Sequence, residues 1–211
     1  MNNRKKLKEQ NKFLLKIAES IIRAGNSSAY SLDFFILSII NRAISLNKAF
    51  ILLLKNKNSL TAISIVRLQL DNAIRLNSIN VVDNKDDFLE HFFEGKPINK
   101  YKIGKQPLSD KFLVKELDKD TPGALDLYNY LCDFIHFSDK YFQATKTSPK
   151  KEEAIFRIII GEFNVLNENE KNAFYENMIS ISKTFIRISK DWIDSKNSML
   201  YKNTAANFNV S

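Results

Sequence analysis

Residues 60–81, LTAISIVRLQLDNAIRLNSINV, spell a helix that has to be surrounded by protein. At about 100° of rotation per residue, Ser64, Arg67, Asp71, Arg75 and Ser78 share one narrow strip. Ile63, Ile65, Val66, Leu68, Leu70, Ile74, Leu76 and Ile79 take up most of the remaining circumference. Such a helix belongs at the centre of a bundle, because little of its surface apart from the strip suits water. The strip sets a condition of its own. Two guanidinium groups and a carboxylate on so apolar a rod must reach water, a counter-charge or a ligand, since an unpaired buried charge is too costly to keep.

The flanking sequence supplies neighbours for this rod. From Asn2 to Ala24, the residues Leu7, Phe13, Leu14, Ile17, Ile21 and Ile22 recur at helical spacing, and Gly25 stands where a helix end takes a left-handed residue. Ser27 and Ser28 are caps for a second long helix that runs to about Lys55. Asn56 to Asn58 makes a turn and Ser59 caps the central helix, so the two long helices are antiparallel neighbours. Asp83 caps a short helix over Lys85 to Glu94, ended by Gly95, and KPINKYKIGKQPL, residues 96–108, follows as an acid-free loop. Ser109 caps Asp110 to Lys119, with Leu108 and Leu113 spaced as a hydrophobic staple. Thr121 followed by Pro122 opens a helix predicted over Gly123 to Gln143. A second acid-free loop covers 144–151, and AIFRIIIG, residues 154–161, reads as a short strand. Asn167 and Glu170 make a capping box for a last long helix to about Ser195, with Phe174, Met178, Ile181, Phe185, Ile188 and Trp192 on its buried face.

The fold expected is all-α, an up-and-down bundle of six to seven helices with at most a short strand pair near 154–161. One domain is predicted over 1–195, with a polar tail over 196–211. At 211 residues, 44% hydrophobic and 27% charged, with five glycines and four prolines, the chain is globular and short of the material for a turn-rich β protein. The single cysteine, Cys132, forms no intramolecular disulfide, and Met1 to Lys12 is too polar for a secretory segment, so a cytoplasmic location is expected. Phe34 to Leu54 is the greasiest run. Asn41, Arg42, Asn47 and Lys48 interrupt it, which favours a buried bundle helix over a membrane span.

A net charge of +8 permits a polyanionic partner. The nucleic-acid-binding candidates are the basic residues of the N-terminus (Arg4, Lys5, Lys6, Lys8) and of the two acid-free loops (Lys96, Lys100, Lys102, Lys105; Lys146, Lys150, Lys151). The plainer reading is that these are solvated loop lysines. No phosphate loop, dinucleotide-binding glycine pattern or serine nucleophile elbow occurs, so no cofactor is expected. Asp87 and His91 lie four apart on a helix, but two ligands make no metal site.

The helix predicted over 123–143 has a polar strip of its own: Asn129, Asp133, His136 and Lys140, with Cys132 at its edge. Were this strip to face Arg67, Asp71 and Arg75 across a groove, the groove would hold an imidazole, two guanidinium groups and two carboxylates. That set binds a phosphate and moves a proton, since histidine titrates near neutral pH and arginine clamps planar anions. The alternative is that the arginines and aspartate pair along their own helix at four-residue spacing, leaving His136 on an ordinary wet face.

Arg67 with Asp71 on a central helix, followed about sixty residues later by LYNYLCDFIHFS, residues 127–138, resembles prokaryotic helical proteins of the HEPN group (higher eukaryotes and prokaryotes nucleotide-binding domains). The resemblance covers roughly residues 28–143. It implies a four-helix up-and-down bundle, and many members are metal-independent endoribonucleases of toxin and phage-defence systems, often dimeric. Their signature is an arginine followed after four to six residues by a histidine on the same helix. His136 matches the histidine, but the one polar residue at the arginine's spacing is Asn129. Either Arg67 or Arg75 supplies the cation from the neighbouring helix, or the nuclease is absent and the bundle serves as a binding module. Two functions are therefore expected. One is an interaction module, pairing as a homodimer or with a partner protein, without a membrane, in a defence or toxin–antitoxin setting. The other is an endoribonuclease with RNA as substrate, in which His136 acts on the ribose 2′-hydroxyl and Arg67 or Arg75 stabilises phosphate charge.

Overall fold

The structure, a computed structural model, describes residues 2–136, 139, 142–143, 146–147, 157–158, 160–161 and 163–208, with backbone alone for 146–147, 157–158 and 200–208. Among these residues it is an all-α bundle of seven helices. The first, α1 (Asn3–Arg23), is capped by the Asn2 side chain and turns Leu7, Leu14, Ile17 and Ile21 inward. Gly25 follows it with φ +62, as its position predicts. Next comes α2 (Ser31–Lys55), which starts later than expected. Ser27 and Ser28 lie in the preceding turn, and it is Tyr30 whose backbone N–H is received by Asp33, at 2.9 Å.

The central helix is α3 (Ser59–Val81), and fifteen of its residues are buried, which makes it the hub that its sequence requires. Its N-cap is Asn58, whose side chain accepts from the Thr61 N–H at 3.1 Å, and not Ser59. Ser59 turns inward instead, donating to the Phe163 carbonyl and accepting from the Leu166 N–H, each at 3.2 Å. In the same way Asn84, not Asp83, caps α4 (Lys85–Phe93), because its oxygen reaches the N–H groups of both Asp86 and Asp87.

The loop after α4 contains a hairpin that its sequence did not predict: β1 (Lys102–Ile103) pairs antiparallel with β2 (Gln106–Pro107) around Gly104, at φ +58. Ser109 caps α5 (Asp110–Asp120) as expected. In α6 (Ala124–Ile135) the helix predicted to Gln143 breaks at His136; Asp139, Phe142 and Gln143 are helical again, while 137–138 and 140–141 lie outside the described residues. A second antiparallel pair, β3 (Lys146–Thr147) with β4 (Arg157–Ile158), places two residues of the strand expected over 154–161, of which 154–156 and 159 lie outside the described residues. Asn167 and Glu170 form both arms of their capping box, at 2.8 and 3.0 Å, and open α7 (Glu168–Phe208). This helix passes straight through the predicted domain boundary at residue 195. Length and hydropathy would let α2 cross a membrane, but here Phe35, Ile36, Ile39, Ile40 and Ala43 are buried in the bundle.

The helices are registered by amides. Asn47 of α2 is wholly buried; it donates to Asn11 of α1 at 2.8 Å and to Ser182 of α7 at 3.2 Å, and it accepts from Gln69 of α3 at 3.0 Å. Gln69 also donates to the Ala43 carbonyl, and one turn along α3 Asn72 donates to that of Ile39, both at 3.0 Å. Sliding any of these helices would strand buried polar groups, each costing about 1–3 kcal/mol.

A buried ion pair closes the other end. Lys196 of α7, fully buried, meets Asp33 of α2 at 2.8 Å and donates to the Ile21 carbonyl at 2.9 Å. The second oxygen of Asp33 receives Trp192 Nε1 at 2.7 Å. Gly25 leaves room for this clasp, because a Cβ there would lie 2.9 Å from Lys196 Cγ. Lys196→Ala leaves Asp33 buried without its counter-charge and is expected to cost about 3–5 kcal/mol in urea unfolding, followed by fluorescence of Trp192, the chain's single tryptophan. Joint replacement, Asp33→Leu with Lys196→Met, is expected to restore most of that loss. A single-variant cost under about 1 kcal/mol would deny the clasp its role.

Candidate functional site

The strip of α3 meets α6 at Arg67. Arg67 is 8% exposed, and its guanidinium carbon lies 4.0 Å from the centre of the Tyr128 ring on α6. It pairs with Asp71 one turn along its own helix. Burial works against the Arg67 charge, yet the hydrogen bond and charge of Asp71, with Cys132 and Tyr128 adding to them, raise its pKa on balance. Burial likewise raises the Tyr128 phenol against the opposing pull of Arg67. Nε of Arg67 has no hydrogen-bond partner among the described residues. Stacking on Tyr128 therefore joins this cation to α6, while its ion pair stays within α3.

Arg75 is not part of that group. It reaches across to Asp110 at the start of α5, so it neither pairs with Asp71 nor turns toward α6. The direction of α6 explains the separation. Thr121 meets Thr184 at 3.1 Å, whereas Tyr130, further along, packs its ring 6.4 Å from that of Phe174, so α6 runs antiparallel to α7. It leaves the Arg75 end of α3 and passes Arg67. His136 then lies past the last turn of α6, exposed, on extended backbone with φ −91 and ψ 136. The histidine is thus at the opposite end of the strip from Arg75, which spans about 12 Å of helix from Arg67. Asn129 is exposed and Asp133 half-buried, while Lys140 lies outside the described residues. Of the six proposed catalytic residues the structure brings together Arg67 and Asp71, to which it adds Tyr128 and the Cys132 expected at the edge of the strip, while Arg75 goes to Asp110.

The structure describes one of the two lysine loops in full and, of the other, only the backbone of Lys146 and Thr147. Lys96, Lys100, Lys102 and Lys105 are exposed around the β1–β2 hairpin, beyond the C-terminal end of α3, and Lys96 pairs with Glu94. Lys146 lies in β3, and the chain just past β4 is bonded to the other end of α3 through Phe163 and Leu60 at 3.0 Å. Lys150 and Lys151 lie outside the described residues. Asp87 and His91, weighed as metal ligands, are engaged in holding the hairpin on α4. The Tyr101 hydroxyl donates to Asp87 at 2.8 Å, and His91 Nε2 lies 3.0 Å from the Pro97 carbonyl. No group of three or more metal-ligating side chains occurs among the described residues.

No family model, curated protein or solved structure matches the chain.

Burial first, and then the hydrogen bond and negative charge of Asp87, push the Tyr101 phenol up to about 12 from 10.0. The neutral phenol is thus the form that the fold favours. Its contribution is complete below pH 10, where both folded and unfolded chains keep the proton, and is lost as pH rises from 10 toward 12. The stability difference between native chain and Tyr101→Phe is therefore expected to be about 0.5–1.5 kcal/mol at neutral pH and to vanish across that range in urea titrations. A difference that does not change with pH would contradict the assignment.

Proposed function

We propose that the chain is a helical interaction module of HEPN-like architecture, pairing with another protein or a second copy, and not an endoribonuclease. The observation that carries this reading is a division of labour among side chains. Each interior cation has a counter-charge, Arg67 in Asp71 beside the Tyr128 ring, Arg75 in Asp110 and Lys196 in Asp33, although Arg67 Nε and Nη1 and Arg75 Nη1 have no hydrogen-bond partner among the described residues. Large apolar groups on the outer faces of α1 and α2 are left to water: Leu15, Ile22, Phe34 and Leu52 are 54, 56, 60 and 56% exposed. Exposed apolar surface of this kind marks contact sites in soluble folds. The same argument gives α2 a protein-facing role and leaves a defence or toxin–antitoxin setting as the context that the resemblance implies.

The nuclease alternative needs a cation free to meet a phosphate beside His136. Arg67 lies under the Tyr128 ring and Arg75 is held at the far end of the strip, so neither offers one without rearrangement. Pure native chain incubated with structured and single-stranded RNA is expected to show no cleavage above that of His136→Ala. Cleavage lost in both His136→Ala and Arg67→Lys, with folding intact by circular dichroism, would overturn the proposal in favour of the ribonuclease.

A further inference from the structure

Between the outer faces of α1 and α2 runs an open groove of about 560 Å³. Apart from Asn11 its uncharged lining is aliphatic, with Ile44 and Ile51 of α2 buried at the floor and Leu15 of α1 and Leu52 of α2 exposed above them. Its rims are cationic on both sides: Arg4, Lys8 and Lys12 stand one turn apart along α1, and Lys48 and Lys55 two turns apart along α2. No carboxylate lines it. Of these five cations, only Lys12 has a carboxylate partner in the ion pairs of the described residues, Glu9 at 3.2 Å on its own helix. Arg4 and Lys55 also border an adjoining cleft that holds Glu168 and Glu176 of α7, so the charge there is mixed. Arg4 Nε is buried without a hydrogen-bond partner among the described residues.

The geometry points to the groove as the docking site for an acidic amphipathic helix of a partner protein. Resting on the interaction-module reading above, this names the surface and the partner's chemistry. Two rows of cations flanking an aliphatic strip are the complement of a helix whose apolar residues, at i, i+3/i+4 and i+7, are bordered by carboxylates. From Arg4 to Leu15 the groove extends about 17 Å, the length of three helical turns. Burying the apolar row in it supplies the affinity, and the rim charges supply orientation and rejection of basic partners.

Other polyanions fit less well. Single-stranded nucleic acid is gripped by bases stacked on aromatic rings, and no aromatic residue lines this groove. A bilayer would meet the ridges before the recessed floor, where Ile44 and Ile51 are buried beneath exposed Leu15 and Leu52.

The test uses the full chain and a labelled synthetic peptide of about 18 residues, helical, with one leucine row flanked by glutamates. A matched peptide carries lysines in place of the glutamates. By fluorescence anisotropy the acidic peptide is expected to bind at least about tenfold more tightly than the basic one. The preference should shrink as salt rises past about 0.15 M, since the rim charges are exposed. Leu52→Glu, and separately Lys48→Glu with Lys55→Glu, are expected to weaken binding about tenfold or more; all three positions are exposed, and circular dichroism confirms the fold. Equal affinity for both peptides, no binding, or binding unmoved by Leu52→Glu overturns the proposal. So does groove-dependent binding of phosphatidylglycerol vesicles, of single-stranded RNA or of a second copy with the acidic peptide left unbound. These failures leave an interaction module standing, whereas RNA cleavage dependent on His136 would remove the module itself.

Discussion

Four helices depend on the side chain of Asn47. Its amide has no access to water, and it is satisfied only when Asn11, Gln69 and Ser182 arrive together from α1, α3 and α7. Aliphatic packing alone tolerates small slips between helices, because one methyl group substitutes for another at little cost. Buried hydrogen bonds do not, since each broken one leaves a desolvated group behind. The network therefore fixes how α1, α2 and α7 sit along α3, and that register places everything else. It sets Arg67 under Tyr128, brings Lys196 level with Asp33, and lays α1 against α2 so that their outer faces leave a groove.

Charges inside this bundle follow the same logic. A buried guanidinium or ammonium is tolerated when a carboxylate and a few acceptors or a ring face meet it. Arg67, Arg75 and Lys196 each have such a carboxylate; the pairs of Arg75 and Lys196 tie two helices together, while Arg67, paired within α3, reaches α6 by stacking on Tyr128. Four cations without a carboxylate partner among the described residues, Arg4, Lys8, Lys48 and Lys55, lie along the α1–α2 groove, where they border aliphatic groups.

The hub was legible because helical period needs only local sequence: the apolar residues of 60–81 leave a single polar strip, whatever surrounds them. Two caps were legible to within one residue, while that of α2, expected at Ser27 or Ser28, falls on Tyr30. Asn58 and Ser59, like Asp83 and Asn84, are chemically interchangeable at an N-cap, and the choice fell to a distant partner, since Phe163 and Leu166 draw Ser59 inward. The end of α6 was not legible, because the amphipathic pattern runs on past Ile135 while period says nothing of where a helix turns away. Nor was the role of Lys196. A lysine in a polar stretch reads as surface, and the aspartate that draws it into the interior lies 163 residues away. Asn47 was visible as an interruption in a greasy run, but its three partners come from three other helices. The candidate site suffered most: Arg67 and Asp71 were read correctly as a pair, while the bond of Arg75 to Asp110 and the departure of His136 from its helix depend on how helices cross.

The account stands or falls on whether Asn47 and Gln69 act as one unit in the folded chain. A double-mutant cycle, Asn47→Ala and Gln69→Ala singly and together, followed by urea unfolding, measures this directly. The structure requires a coupling of about 1 kcal/mol or more, with the double variant less damaged than the sum of the singles. Costs that add to within about 0.3 kcal/mol would mean that the two amides do not meet, and that the register of the bundle is set by something else.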